Sequence, residues 1–109
     1  MIQKDRRASR RFAMRLPLTV RWTDDDGIVG EAATEACEVS SRGLYFYLPM
    51  KLIRDSCVEI VVILPHELTQ AGPVRVRCQG RVLRSSIKES GEVGMAVATA
   101  AYEFLRHGE

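Results

Sequence analysis

The sequence predicts an all-β fold: a small six-stranded antiparallel barrel, built as one domain. Three observations carry this. Apolar and polar residues alternate with a period of two in segment after segment. Clusters of Asp, Gly and Ser separate those segments at regular spacing. The chain of 109 residues is long enough for one hydrophobic core and too short for two.

The elements follow in order. Leu16-Pro17-Leu18-Thr19-Val20-Arg21-Trp22 alternates, with Leu16, Leu18, Val20 and Trp22 on one face and Pro17 tolerated near the strand's start. Asp24-Asp25-Asp26-Gly27 is a turn signal, and its three carboxylates lack the ligand spacing of a calcium loop. A weaker strand runs from about Gly30 to Val39, where Ala and Thr blur the pattern. Ser40 to Gly43 forms a turn before the aromatic strand Leu44-Tyr45-Phe46-Tyr47-Leu48. Cys57 to Leu64 is β-branched and the most apolar stretch, and so reads as a strand covered on most of both faces. From Val74 to Arg84, Val74, Val76, Cys78, Gly80 and Val82 share one face, and Arg75, Arg77, Gln79 and Arg81 the other. Gly80 would permit a bend or a close backbone approach. Val93 to Ala98 is the last strand, and Thr99 to Arg106, with a Thr cap, reads as a short C-terminal helix. Residues 1–12 are expected to be a flexible arginine-rich arm, and 13–109 the barrel domain with its helix.

Net charge is only +2, but its distribution is uneven. Residues 1–15 carry +5 and the remainder −3, which points to a local anion site rather than a duplex-wide footprint. No apolar run approaches the length needed to span a bilayer, and the basic N-terminus lacks the apolar stretch of a secretory signal, so a cytoplasmic protein without membrane insertion is expected. Cys37, Cys57 and Cys78 show no metal-binding spacing and fall in strand-like segments, as reduced structural thiols do. Catalysis has thin support. His66 and His107 have no nucleophile nearby in sequence, Ser40 and Ser41 lack a nucleophile-elbow context, and the glycines form no phosphate loop. Neither an enzyme, a metal site nor a resident cofactor is expected.

Two clusters remain. Arg6-Arg7-Ala8-Ser9-Arg10-Arg11 is dense in arginine, whose planar, permanently charged fork matches phosphate and the O6/N7 edge of guanine. Composition alone somewhat favours a solvated basic tail. Glu38-Val39-Ser40-Ser41-Arg42-Gly43 supplies an acceptor, a hydroxyl and a glycine just ahead of the aromatic strand.

Arg7-x-x-x-Arg11-Phe12, running into Leu16-Pro17, resembles the RxxxR signature of PilZ domains. Glu38-x-Ser40-x-x-Gly43 resembles their (D/N)xSxxG signature, and Gly80 to Arg84 and Val93 to Val97 are similar to the late barrel strands of that family. The resemblance extends from about Arg6 to Leu105. It implies a six-stranded PilZ-type β-barrel and a bacterial receptor for cyclic di-GMP. It further implies that Arg7 and Arg11 clamp phosphates and guanine edges, that Ser40 is a hydrogen-bonding partner, and that Gly43 provides the turn. Arg6, just ahead of the motif, implies a stacked pair of ligand molecules. The register Arg6-x-x-x-Arg10 also fits the bare pattern; Arg7/Arg11 is preferred because Phe12 and the first strand then fall where the family has them.

One residue departs from the family. Glu38 stands where Asp or Asn is usual; it keeps an acceptor for guanine N1–H and N2–H₂ but moves it by ~1.5 Å. It can alternatively be read as a strand-end residue paired with an arginine. Arg42, often glycine in the family, either adds a cation to the site or faces solvent, and Arg84 is a further candidate. The outward row Arg75, Arg77 and Arg81 reads as solvating. The resemblance implies an unidentified downstream protein as partner. Two rivals stay open: a PilZ-like interaction module with weak or no nucleotide binding, favoured by Glu38, and a nucleic-acid binder, disfavoured by an arm without aromatics and by modest overall basicity.

Overall fold

The computed structural model describes residues 15–24, 26–65, 69–70 and 72–105. Six strands make a closed antiparallel barrel: β1 (Leu16–Thr23), β2 (Val29–Ser40), β3 (Gly43–Leu48), β4 (Cys57–Leu64), β5 (Val74–Ile87) and β6 (Val93–Leu105). Around the barrel the order is β1-β2-β3-β6-β5-β4, and β4 closes it by pairing back onto β1, with Val20 opposite Ile60. Closure leaves no open sheet edge along the barrel body.

The period-two pattern becomes the core. Leu16, Leu18 and Val20 of β1 pack with Leu44, Phe46 and Leu48 of β3, Val58, Ile60 and Val62 of β4, Cys78 and Val82 of β5, and Val93, Met95 and Val97 of β6. Trp22 continues the β1 face but is only partly buried against that core. The Asp24 turn is a hairpin tip, in which the Asp24 carboxylate accepts the N–H groups of Asp26 and Ile28, each at 2.9 Å. Among the described residues no three His, Cys, Asp or Glu side chains group as a metal site, and no helix is long and apolar enough to cross a membrane.

Several expectations change. β4 buries one face only: Val58, Ile60 and Val62 are inside, whereas Ile63 is 38% exposed, because strands of a single-layered barrel have one outward face. The segment from Thr99 to Leu105 is strand, not helix. β5 extends well past the start of β3 and offers a ladder on which Phe104 pairs with Val76 and Glu103 with Arg77. A 2.7 Å Arg77–Glu103 ion pair bridges the two strands. Tertiary pairing of a Tyr- and Phe-containing segment thus overrides the capping signal. Of the three thiols, all free, only Cys78 is buried; Cys37 is half-buried and Cys57 exposed. Gly80 serves close packing, since a Cβ there would lie 2.6 Å from Val97 Cγ1 and 3.0 Å from Val58 Cγ2.

Candidate functional site

The site is built by two β-bulges. In β2, Ala36 pairs with Phe46 and Glu38 with Tyr45, leaving Cys37 as the extra residue. Ala36 is fully buried, so strict alternation would turn Glu38 into the core; the extra residue turns it outward, beside Tyr45. In β5, Val82 pairs with Val97 and Arg84 with Ala96, leaving Leu83 extra. Val82 is also fully buried, so the same logic applies to Arg84. Each bulge moves one charged side chain from the inside of the barrel to its outer wall.

The register then aligns them. Glu38 (β2), Tyr45 (β3), Ala96 (β6) and Arg84 (β5) form one outward row across four adjacent strands. At the usual strand spacing, Glu38 and Arg84 stand roughly 14 Å apart along it. Ala96, the smallest member, leaves a depression. A hollow of about 260 Å³ is lined by Glu38, Ser40, Arg42, Gly43 and Arg84, with Tyr45 and Ala96 among its remaining walls.

Ser40 and Gly43 close the β2–β3 hairpin through a two-residue connection, Ser41-Arg42. The Ser40 hydroxyl accepts the Arg42 N–H at 3.2 Å and donates a long contact of 3.5 Å to the Gly43 carbonyl. The Arg42 carbonyl accepts the N–H of Thr99 at 3.0 Å, pinning the hairpin to β6. Gly43 is therefore not the turn residue: it opens β3, without positive φ, and its role is close approach. Any Cβ on it would overlap the backbone carbonyl of Val97. Gly94, in the next row, is covered by the Tyr45 hydroxyl, and Tyr45 and Tyr47 meet edge to face at 5.5 Å.

Of the expected ligand-binding residues, Glu38, Ser40, Gly43, Arg42 and Arg84 line one hollow. Arg6, Arg7, Arg10 and Arg11 lie outside the described residues, as do His66 and His107. The described chain begins at Arg15, ion-paired with Glu35 at 3.1 Å, and Leu16 pairs with Ala36, immediately before the β2 bulge. Tyr45 and Ala96 were missed in the sequence. Tyr45 had a signal, two residues beyond Gly43 on an alternating strand; Ala96 had none.

Fold and site together define a small closed six-stranded antiparallel β-barrel with a polar hollow on its outer wall. Two solved structures share the fold. The chain is similar to the Bacillus subtilis inhibitor of motility, MotI/DgrA, with a TM-score of 0.73 and 16% identity over 92% of this chain and 45% of that one. It is also similar to K. pneumonia MrkH in its apo state, with a TM-score of 0.57 and 13% identity over 97% of this chain and 47% of that one. The chain thus spans less than half the length of either. No family model and no curated protein sequence matches it.

Proposed function

We propose that this chain is a receptor domain for cyclic di-GMP, held on the outer wall of the barrel and covered by the N-terminal arginines. The observation that carries the reading is the hollow itself. It collects the three residues of the second motif, Glu38, Ser40 and Gly43, with two further cations, Arg42 and Arg84. Acceptors for guanine N–H groups and donors for phosphate therefore share one surface.

The volume of about 260 Å³ is small beside the ~300–1,000 Å³ usual for a ligand pocket. A dinucleotide needs a second wall, and the chain has material for one. Arg11 stands five residues before Leu16, a reach of up to ~17 Å, and β1 starts beside the bulge that carries Glu38. In this reading Arg7 and Arg11 take the phosphates and the O6/N7 edge of guanine, with Arg6 serving a second, stacked ligand. Glu38 accepts from guanine N1–H and N2–H₂. Two ligand phosphates neutralise the mutual repulsion of the arginines and draw the segment across the barrel, reshaping the surface a partner protein meets. The role is reception rather than catalysis.

Isothermal titration of cyclic di-GMP into the wild-type chain tests this. Saturable binding is expected, most of it lost in Arg7→Ala and Arg11→Ala while the thermal melt is unchanged. An undiminished affinity in those variants overturns the arginine clamp. A wild-type chain that takes up no nucleotide selects the interaction-module reading instead.

A further inference from the structure

Beside the first hollow lies a second, of about 650 Å³, lined by Lys51, Ile53, Arg54, Leu83, Arg84 and Ser85. The two share Leu83 and Arg84. The bulge that turns Arg84 outward therefore makes it the ridge between two concavities.

The second hollow is cationic and rigidly framed. Its lining holds three basic side chains and no acidic one. Among the described residues Lys51, Arg54 and Arg84 form no ion pair, whereas Arg15 and Arg77 do. The loop that carries Lys51 and Arg54 is fastened to β5: Asp55 N–H donates to the Val82 carbonyl at 2.7 Å, and Val82 N–H donates to that of Ser56 at 3.0 Å. Leu52 anchors it in the core, and Asp55 is held in the left-handed region at φ 71°. Two apolar side chains lie open among the cations, Ile53 at 68% and Leu83 at 41% exposed.

We propose that this groove docks an acidic segment of a partner protein, one that alternates carboxylates with aliphatic residues. Unpaired cations on a fixed frame supply the charge complement, and Ile53 and Leu83 supply the apolar contacts that a purely electrostatic surface lacks. Arg84 serves both hollows. An anion bound in the first therefore withdraws charge from the second, and nucleotide and partner weaken each other's binding. That coupling rests on the nucleotide reading above; the docking itself does not.

The test uses the full chain and a short fluorescein-labelled peptide of Glu, Asp and Leu, followed by fluorescence polarisation at low and at physiological salt. Lys51→Ala combined with Arg54→Ala is expected to weaken binding at least about tenfold. Arg81→Ala, which removes one charge from β5 outside the groove, should leave it unchanged. Equal loss in Arg81→Ala, no loss in the double variant, or equal binding of a Gln/Asn/Leu peptide each overturns the proposal. So does tighter binding of a short DNA duplex or of anionic vesicles through Lys51 and Arg54. Saturating cyclic di-GMP should lower peptide affinity; unaltered affinity with nucleotide bound refutes the coupling. If calorimetry finds no nucleotide binding, the coupling falls with the receptor reading, and the peptide measurements alone decide the groove.

Discussion

At Gly43 the missing side chain matters more than any turn. Its Cα faces the carbonyl of Val97, a backbone atom that cannot swing aside as a side chain would. Gly43→Ala is therefore expected to cost about 1–3 kcal/mol, read as a lower urea midpoint with an unchanged slope. Glu38 poses the converse case, since the fold tolerates it, whereas under the proposed reading a guanine would meet an acceptor one methylene longer than Asp or Asn. Glu38→Asp should tighten cyclic di-GMP binding about tenfold by calorimetry, the equivalent of recovering one hydrogen bond to a charged group. Glu38, Ser40 and Gly43 were legible because their spacing forms a motif. The function of Gly43 was not, because the carbonyl that demands a glycine belongs to β6, over fifty residues away in the chain.

At the level of the strand, the two bulges explain both what could be read and what could not. β1, β3 and the first part of β5 keep strict alternation and announce themselves. β2 blurs because its Ala and Thr residues carry little hydrophobic contrast, and Cys37 then interrupts its phase just ahead of Glu38. Removing Leu83 would take out the extra residue and leave Arg84 directly after Val82, still on the outer wall opposite Ala96. That deletion should therefore cost no more than about 1–2 kcal/mol in a denaturant titration, because Leu83 is 41% exposed and no charge enters the interior. The end of β6 was misread because a Thr-led segment with apolar residues three apart satisfies helix rules locally. What it lacks locally is β5, which supplies the pairing partner. The Arg77–Glu103 bridge there is exposed, so Arg77→Ala should cost no more than about 1 kcal/mol, and less at high salt.

Across the whole molecule, closure between β1 and β4 was the least legible feature, since nothing in either strand names the other. Closure also sorts the three thiols. Burial pushes the Cys78 thiol above its ordinary 9.0, so the folded chain holds a proton that the unfolded chain releases. The stabilisation from this group is complete below about pH 9 and declines as pH rises beyond it, and Cys78→Val should flatten that alkaline decline in thermal melts. With a thiol-reactive disulfide reagent at neutral pH, Cys57 should modify first and Cys78 only at the rate of global opening.

Ala96 forms the floor of the hollow yet faces away from the packed interior. A leucine there would plug the depression from outside while the barrel stands, so that under the proposed reading the chain keeps its skeleton and takes up no nucleotide. Such a chain would let any effect of a filled hollow be told apart, in a living cell, from the mere presence of the protein.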